Sequence, residues 1–202
     1  QNLLPRYREA AERMEASRVV DERKFLEFAA RLRGVEGQKS VYLVYQREYR
    51  PELQPAVVHR IMSEFQDAPD ILAELQDLFL TRRRETSFDV EPVQKAFSDA
   101  QIDFHFIYMN KDVEYVPGIE MREASEDYFR AFSILAESTG GTVDTSQNPA
   151  VGFRNAAESA DRYYLLYFEP GDIKRDGSFH RIAVKVKDPS WRVVHRTGFY
   201  AD

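Results

Sequence analysis

Apolar residues recur along this chain with two different periods, and the changes of period mark its elements. Leu3, Tyr7, Ala10, Ala11 and Met14, then Phe25, Phe28, Ala29 and Leu32, return every three or four residues with charges between them. Residues 4–33 are therefore predicted to form one long or two short amphipathic helices. Gly34 and Gly37 stop that pattern, and Ser40 to Tyr45 (SVYLVY) is β-rich and almost unbroken in its hydrophobicity, as a central strand of a parallel sheet would be. Helical spacing returns between Gln46 and Ser87 as two stripes: Val57, Val58, Ile61, Met62 and Phe65, then Ile71, Leu72, Leu75, Leu78 and Phe79. Pro69 separates them, because a proline pushes the residue before it out of the helical region. Both stripes read as packing surfaces rather than as a ligand pocket.

Asp89 is placed to cap a helix that runs through Ala100 and turns Val93, Phe97 and Ala100 inward. Ile102 to Met109 (IDFHFIYM) is a second strand of buried type, and residues 110–123 read as loop around the turn formers Pro117 and Gly118. Ser125 opens another helix with an acidic first turn, Glu126 and Asp127, which Gly140-Gly141 ends. A short strand, Thr142 to Thr145, and a helix opened by Asn148 with Pro149 at its first position come next. Tyr163 to Phe168 is an unbroken aromatic and leucine run, predicted to be a strand buried on both faces. Pro170, Gly171, Asp176 and Gly177 then lead into an antiparallel hairpin. In it Ile182, Val184 and Val186 share one face of Phe179–Lys187, and Trp191, Val193, His195, Thr197 and Phe199 share one face of the last strand. Strands alternating with helices predict an α/β fold built from right-handed βαβ units on a parallel sheet, in one domain.

Composition narrows the function without naming it. A chain of 202 residues with 43% hydrophobic and 31% charged residues suits a globular domain with a substantial core. The net charge of -6 argues against nucleic acid, since phosphate binding needs a basic face and the one compact basic run, Arg82, Arg83 and Arg84, reads as a solvated helix end. No cysteine is present, which removes disulfides, thiolate metal sites and cysteine nucleophiles and leaves the compartment open. No apolar run reaches the length that spans a bilayer, and no signal peptide is seen. His59, His105, His180 and His195 include no pair at the helical spacing of a zinc site, although His180 and His195 have the positions to meet across the hairpin. Neither a Gly-x-Ser-x-Gly elbow, a phosphate-binding loop, a GxGxxG nor a His-Glu-x-x-His occurs, so nucleophilic, phosphoryl and hydride chemistry have no anchor. Tyr42, Tyr45, Tyr49, Tyr108 and Tyr115 fall near strand ends, where tyrosine serves either core packing or a binding surface.

Four stretches in order resemble the von Willebrand factor type A-related domains of exported bacterial proteins. They are GQKSVYLVY (37–45), the helix and strand ending DFHFIYM (103–109), LAESTGG (135–141) with the helix and YYLLYFEP after it, and the closing DGSFHRIAVKVKDPSWRVVHRTGFYA. The resemblance implies a doubly wound, Rossmann-like, mostly parallel sheet, incomplete here, with a C-terminal antiparallel β-hairpin. Residues 1–170 would be its partial α/β body, with a helical insertion at about 49–87, and residues 171–202 the hairpin extension of the same domain. Metal-binding members of that family use an Asp-x-Ser-x-Ser motif, a threonine and an aspartate, which hold Mg²⁺ or Ca²⁺ with one position left for a partner's carboxylate. No Asp-x-Ser-x-Ser occurs in this chain, and Tyr45, Gln46, Arg47 and Glu48 stand where the aspartate is expected.

The resemblance thus implies a non-enzymatic protein-binding or assembly module of an exported protein, secreted or periplasmic and independent of metal. Partner contacts are expected at the C-terminal strand ends, on Gln46, Arg47, Glu48, Tyr49, Asn110 and Asp112. No catalytic residue and no cofactor is expected. The partner would be another protein, or an N-terminal half outside this chain, that completes the sheet beside Val41–Tyr45, because a bare apolar edge invites aggregation. Two alternatives stand beside this one. In the first, a metal-dependent adhesion domain takes its Mg²⁺ or Ca²⁺ ligands from the absent half. In the second, the chain is an accessory subunit of an enzyme complex.

Overall fold

The computed structural model describes residues 4–79, 88–161, 164, 166–169, 171, 176–191 and 193–201. Two compact units make up the chain, one formed by residues 1–20, 48–87 and 112–126 and the other by 21–47, 88–111 and 127–202.

Helix α1 (Leu4–Arg18) belongs to the first unit and α2 (Glu22–Arg33) to the second, so the N-terminal helical pattern makes two helices. Asp21 caps α2 by accepting a hydrogen bond from the Arg23 amide at 3.0 Å. Strand β1 (Lys39–Gln46) follows, then β2 (Tyr49–Leu53), α3 (Pro55–Glu64) and α4 (Pro69–Phe79), with Pro69 at the first position of its helix. The stretch expected as a helical insertion therefore begins with a strand, and residues 80–87, Arg82–Arg84 among them, lie outside the described residues. Helix α5 (Val90–Asp99), capped by Asp89 through the Glu91 amide at 3.2 Å, leads to β3 (Ile102–Met109) and β4 (Ile119–Glu123). Helix α6 (Glu126–Thr139), β5 (Val143–Ser146) and α7 (Pro149–Asp161) complete the α/β part, α7 capped by Asn148 through the Ala150 amide at 3.0 Å.

In the first unit β2 and β4 pair antiparallel, Tyr49 opposite Glu123 and Leu53 opposite Ile119. Residues 119–123, expected as loop, are thus strand. Ile119 and Met121 alternate with charged residues at the β period, but so short a run forms a strand only where a partner such as β2 lies alongside. Gly118 adopts φ +79 beside Val57 Cγ2 and accepts a hydrogen bond from the Gln54 amide, closing the ribbon.

The second unit is built on a parallel three-stranded sheet in the order β1-β3-β5. Phe104 and Phe106 of β3 point to one face, where Phe132 of α6 stands at the centre of an aromatic cluster. Phe25 of α2, Tyr45, Phe88, Phe104, Phe106 and Tyr128 all lie within about 6 Å of its ring. Helix α6 presents Tyr128, Ala131, Phe132, Leu135, Ala136 and Thr139 to that core, one face at three- and four-residue spacing. Helix α7 covers the other face, where Gly152 packs so closely on Ile107 and Asp144 that a Cβ there would come within 2.9 Å of the Ile107 side chain. At Gly141 a Cβ would fall 1.8 Å from the Phe104 carbonyl oxygen, so only glycine lets the chain turn from α6 into β5 against β3.

Two strand expectations are corrected. Val41–Tyr45 has the composition of a central strand, yet β1 stands at an end of the described sheet and none of its residues is buried, while β3 is the central strand and is buried along most of its length. The second correction concerns Tyr163–Phe168, whose composition predicts a buried strand. Tyr163 and Leu165 lie outside the described residues, and Tyr164 (89% exposed), Leu166, Tyr167 (87%) and Phe168 belong to no strand. Hydrophobicity supplies the tendency to pair but not the neighbour, so an apolar run without an adjacent strand stays in solvent. The C-terminal hairpin is present and antiparallel but shorter than its pattern, with β6 (Phe179–Arg181) against β7 (Gly198–Tyr200). Ile182 adds one hydrogen bond to Thr197, and Trp191, expected in the last strand, lies outside it and is 63% exposed. Among the described residues no helix is long and apolar enough to cross a membrane.

Candidate functional site

Strands β1, β3 and β5 end at the same level although β5 begins later, and this brings three of the expected site residues to one edge of the second unit. Gln46, Met109 and Ser146, at the C-terminal ends of β1, β3 and β5, are consecutive partners across the sheet. The Arg47 amide donates to the Met109 carbonyl at 2.8 Å and the Asn110 amide to the Ser146 carbonyl at 3.0 Å, so the ladder continues one residue beyond the strands. Gln46 is exposed there, and Arg47 and Asn110 are half-buried. This is the edge at which open α/β sheets present their loops to ligands.

The other three expected residues belong to the first unit. Glu48 is held in place: its carboxylate accepts from Arg18 Nε at 2.6 Å, its amide donates to Ser125 Oγ at 3.1 Å and its carbonyl accepts from the Ala124 amide. Arg18 also donates to the Ala124 carbonyl. Such a pair, only partly exposed, fixes the chain between α1 and β2 rather than waiting for a ligand. Tyr49 opens β2 opposite Glu123, and Asp112 lies exposed in the segment before β4. Among the described residues no group of three or more histidine, cysteine, aspartate or glutamate side chains is placed to hold a metal ion.

The histidines do not meet. The hairpin register sets His180 opposite Phe199, on which it stacks at 5.6 Å, while His195 Nε2 accepts from the Val184 amide at 3.4 Å. The cross-strand meeting that the positions of His180 and His195 allow does not form, because the register sets His180 opposite Phe199.

Ionisable side chains that no sequence motif marks gather on the opposite half of β3. Asp103 and His105 are two residues apart and so share the face of β3 that also carries Ile107 and is covered by α7. Burial raises the Asp103 carboxyl to about 6, against the opposing pull of the Arg196 guanidinium and a hydrogen bond with Gln38. His105 is 2% exposed and stacks on Tyr42 at 5.0 Å, with burial holding its pKa below the ordinary imidazole value. Its Nδ1 lies 3.0 Å from Thr142 Oγ1 and accepts the Thr142 amide at 3.2 Å. Arg196 donates to the Ser98 carbonyl at 3.3 Å, and its amide sits 3.2 Å from where a Cβ on Gly140, at φ +86, would stand. The signal in IDFHFIYM is two ionisable residues at period two inside an apolar strand. Their partners Thr142 and Arg196 lie far along the chain, out of reach of any local pattern.

No family model matches this chain, and no curated protein or solved structure does.

Proposed function

We propose that this chain is a non-enzymatic protein-binding or assembly module whose partner contributes a strand beside β1. One observation carries the reading: β1 is as apolar as β3, yet it stands at an end of the described sheet with every residue half-buried or exposed, Val44 at 49%. An apolar strand in that position is a template for pairing with another chain, through main-chain hydrogen bonds and alternate side-chain pockets. The finer reading, a doubly wound sheet of von Willebrand factor type A kind in an exported protein, draws support from the parallel β1-β3-β5 order with helices on both faces. It rests otherwise on the sequence resemblance. Metal independence follows from the missing Asp-x-Ser-x-Ser motif.

Hydrogen exchange on the chain with and without a protein that co-purifies with it tests this directly. Protection is expected to appear across residues 39–46, to survive EDTA, and to weaken at least tenfold in Val44→Lys, which sets a charge in an apolar contact. Protection confined to other segments would overturn the reading, and loss of binding on chelation would favour metal-dependent adhesion in its place.

A further inference from the structure

We propose that His105 is an acid-sensitive latch, which holds the Gly141–Thr142 start of β5 against β3 at neutral pH and releases it when the imidazole takes up a proton. The geometry fixes its tautomer. A backbone N–H can only donate, so the Thr142 amide 3.2 Å from Nδ1 requires a lone pair there, and the ring proton sits on Nε2. Nε2 is itself buried with no hydrogen-bond partner among the described residues, and Tyr42 closes one side of the ring. A second proton has one place to go, Nδ1, where it would meet the Thr142 N–H head on. The imidazolium would then carry two buried donors without an acceptor on either nitrogen, apart from what the rotating Thr142 hydroxyl offers.

The consequence is mechanical because Thr142 has no slack. Its carbonyl accepts from the Phe106 amide at 2.8 Å, and Gly141 lies directly on the Phe104 carbonyl. Moving Thr142 away from the ring therefore strains the first pair of the β3–β5 ladder, Phe106 with Val143, and with it the strand on which α7 packs.

The charges around the ring do not rescue the imidazolium. Along β3 the nearest is Asp103, which takes up its own proton at about pH 6, so acid removes that countercharge as well. The Arg196 guanidinium acts on Asp103 from the C-terminal segment and would repel a second cation. From β1 the group that faces the ring is Tyr42. From β5 it is Asp144, which stands at the level of Ile107 and accepts from Asn155 at 3.0 Å. Helix α7 turns Gly152 and Ala156 inward, and its charged Arg154 and Glu158 are exposed. A ring whose folded-state pKa lies below its unfolded value stabilises the closed ladder above about pH 6.5, and that stabilisation is lost as the pH falls.

Amide exchange at Thr142 and Phe106, corrected for its intrinsic pH dependence, should be followed from pH 7.5 to pH 5 in the intact chain and in His105→Gln, whose side-chain oxygen keeps the acceptor and does not titrate. The wild type is expected to open several-fold more at pH 5, with a ceiling of about thirty-fold set by the ordinary imidazole pKa, and the variant to show no such rise. Equal pH dependence in the two overturns the latch. Should His105→Gln fail to fold, NMR titration of the wild-type ring decides alone. A midpoint below about 6.5 with the proton on Nε2 at neutral pH supports the proposal, and an ordinary or raised midpoint, or a proton on Nδ1, defeats it.

Discussion

At the scale of single residues, burial of ionisable groups is what separates this strand from an ordinary one. Burial favours the uncharged form of both, raising the Asp103 carboxyl and lowering the His105 imidazole, so the two bear on folding with opposite pH dependence. The Asp103 carboxyl, raised from 3.8 to about 6, contributes stability that is fully present below its unfolded value and lost as the pH rises through 6. Between pH 4 and pH 7 the wild type should therefore lose of order 1–2 kcal/mol relative to Asp103→Asn, once the solvent that reaches this half-buried carboxyl is allowed for. Urea denaturation of both proteins at the two pH values measures that difference. A constant gap would mean that Arg196 offsets the burial completely. That two polar residues interrupt an apolar strand is plain in IDFHFIYM. That one feels the charge of Arg196 and the other bonds to Thr142 is not, because those neighbours depend on how α6 ends at Gly140-Gly141 and where the C-terminal segment returns.

Elements show how far periodicity carries. The caps at Asp21, Asp89 and Asn148 are local chemistry, a side-chain oxygen accepting an otherwise unpaired amide, and helices begin immediately after each of them. Helix α6 is legible for a similar reason, since its apolar residues fall on one face whatever lies opposite. Its partners are not, and they give it its weight: Phe132 packs on rings from α2, β1, β3 and the segment before α5. Phe132→Ala should cost about 3–5 kcal/mol, the range for removing a buried aromatic, and thermal unfolding would register it as a fall of several degrees. Substitution of the exposed Phe153, on α7, should cost far less, so a comparable loss there would show that the cluster around Phe132 is not the principal core. Strands are harder to read than helices. The apolar runs SVYLVY and YYLLYF promise equal burial with IDFHFIYM, but a strand is buried by its neighbours, and of the three β3 alone has a strand on each side among the described residues.

For the whole molecule, the distribution of buried side chains sets the order of opening. Every buried hydrophobic residue among the described side chains belongs to the second unit, while in the first unit Ser125 is buried and Met62, Phe65 and Ile71 remain partly in solvent. Hydrogen exchange should accordingly find β3 and α6 protected to the global stability, and α3, α4 and the β2–β4 ribbon exchanging at least a hundredfold faster. Uniform protection across both units would contradict this and indicate that the first unit gains its core from contacts beyond the described residues. Legible from the sequence were the α/β class, the helices that Asp89 and Asn148 cap, the hairpin at the C-terminal end and the lack of any thiol chemistry, because each depends on residue type and spacing within a few positions. Tertiary structure alone decided that β3 is the central strand, that residues 119–123 pair with β2, that Glu48 is bound to Arg18, and that His105 lies against Thr142. Each of these joins positions far apart in the chain. What buries or charges such a side chain is its neighbour in space, and no period along the sequence records that neighbour.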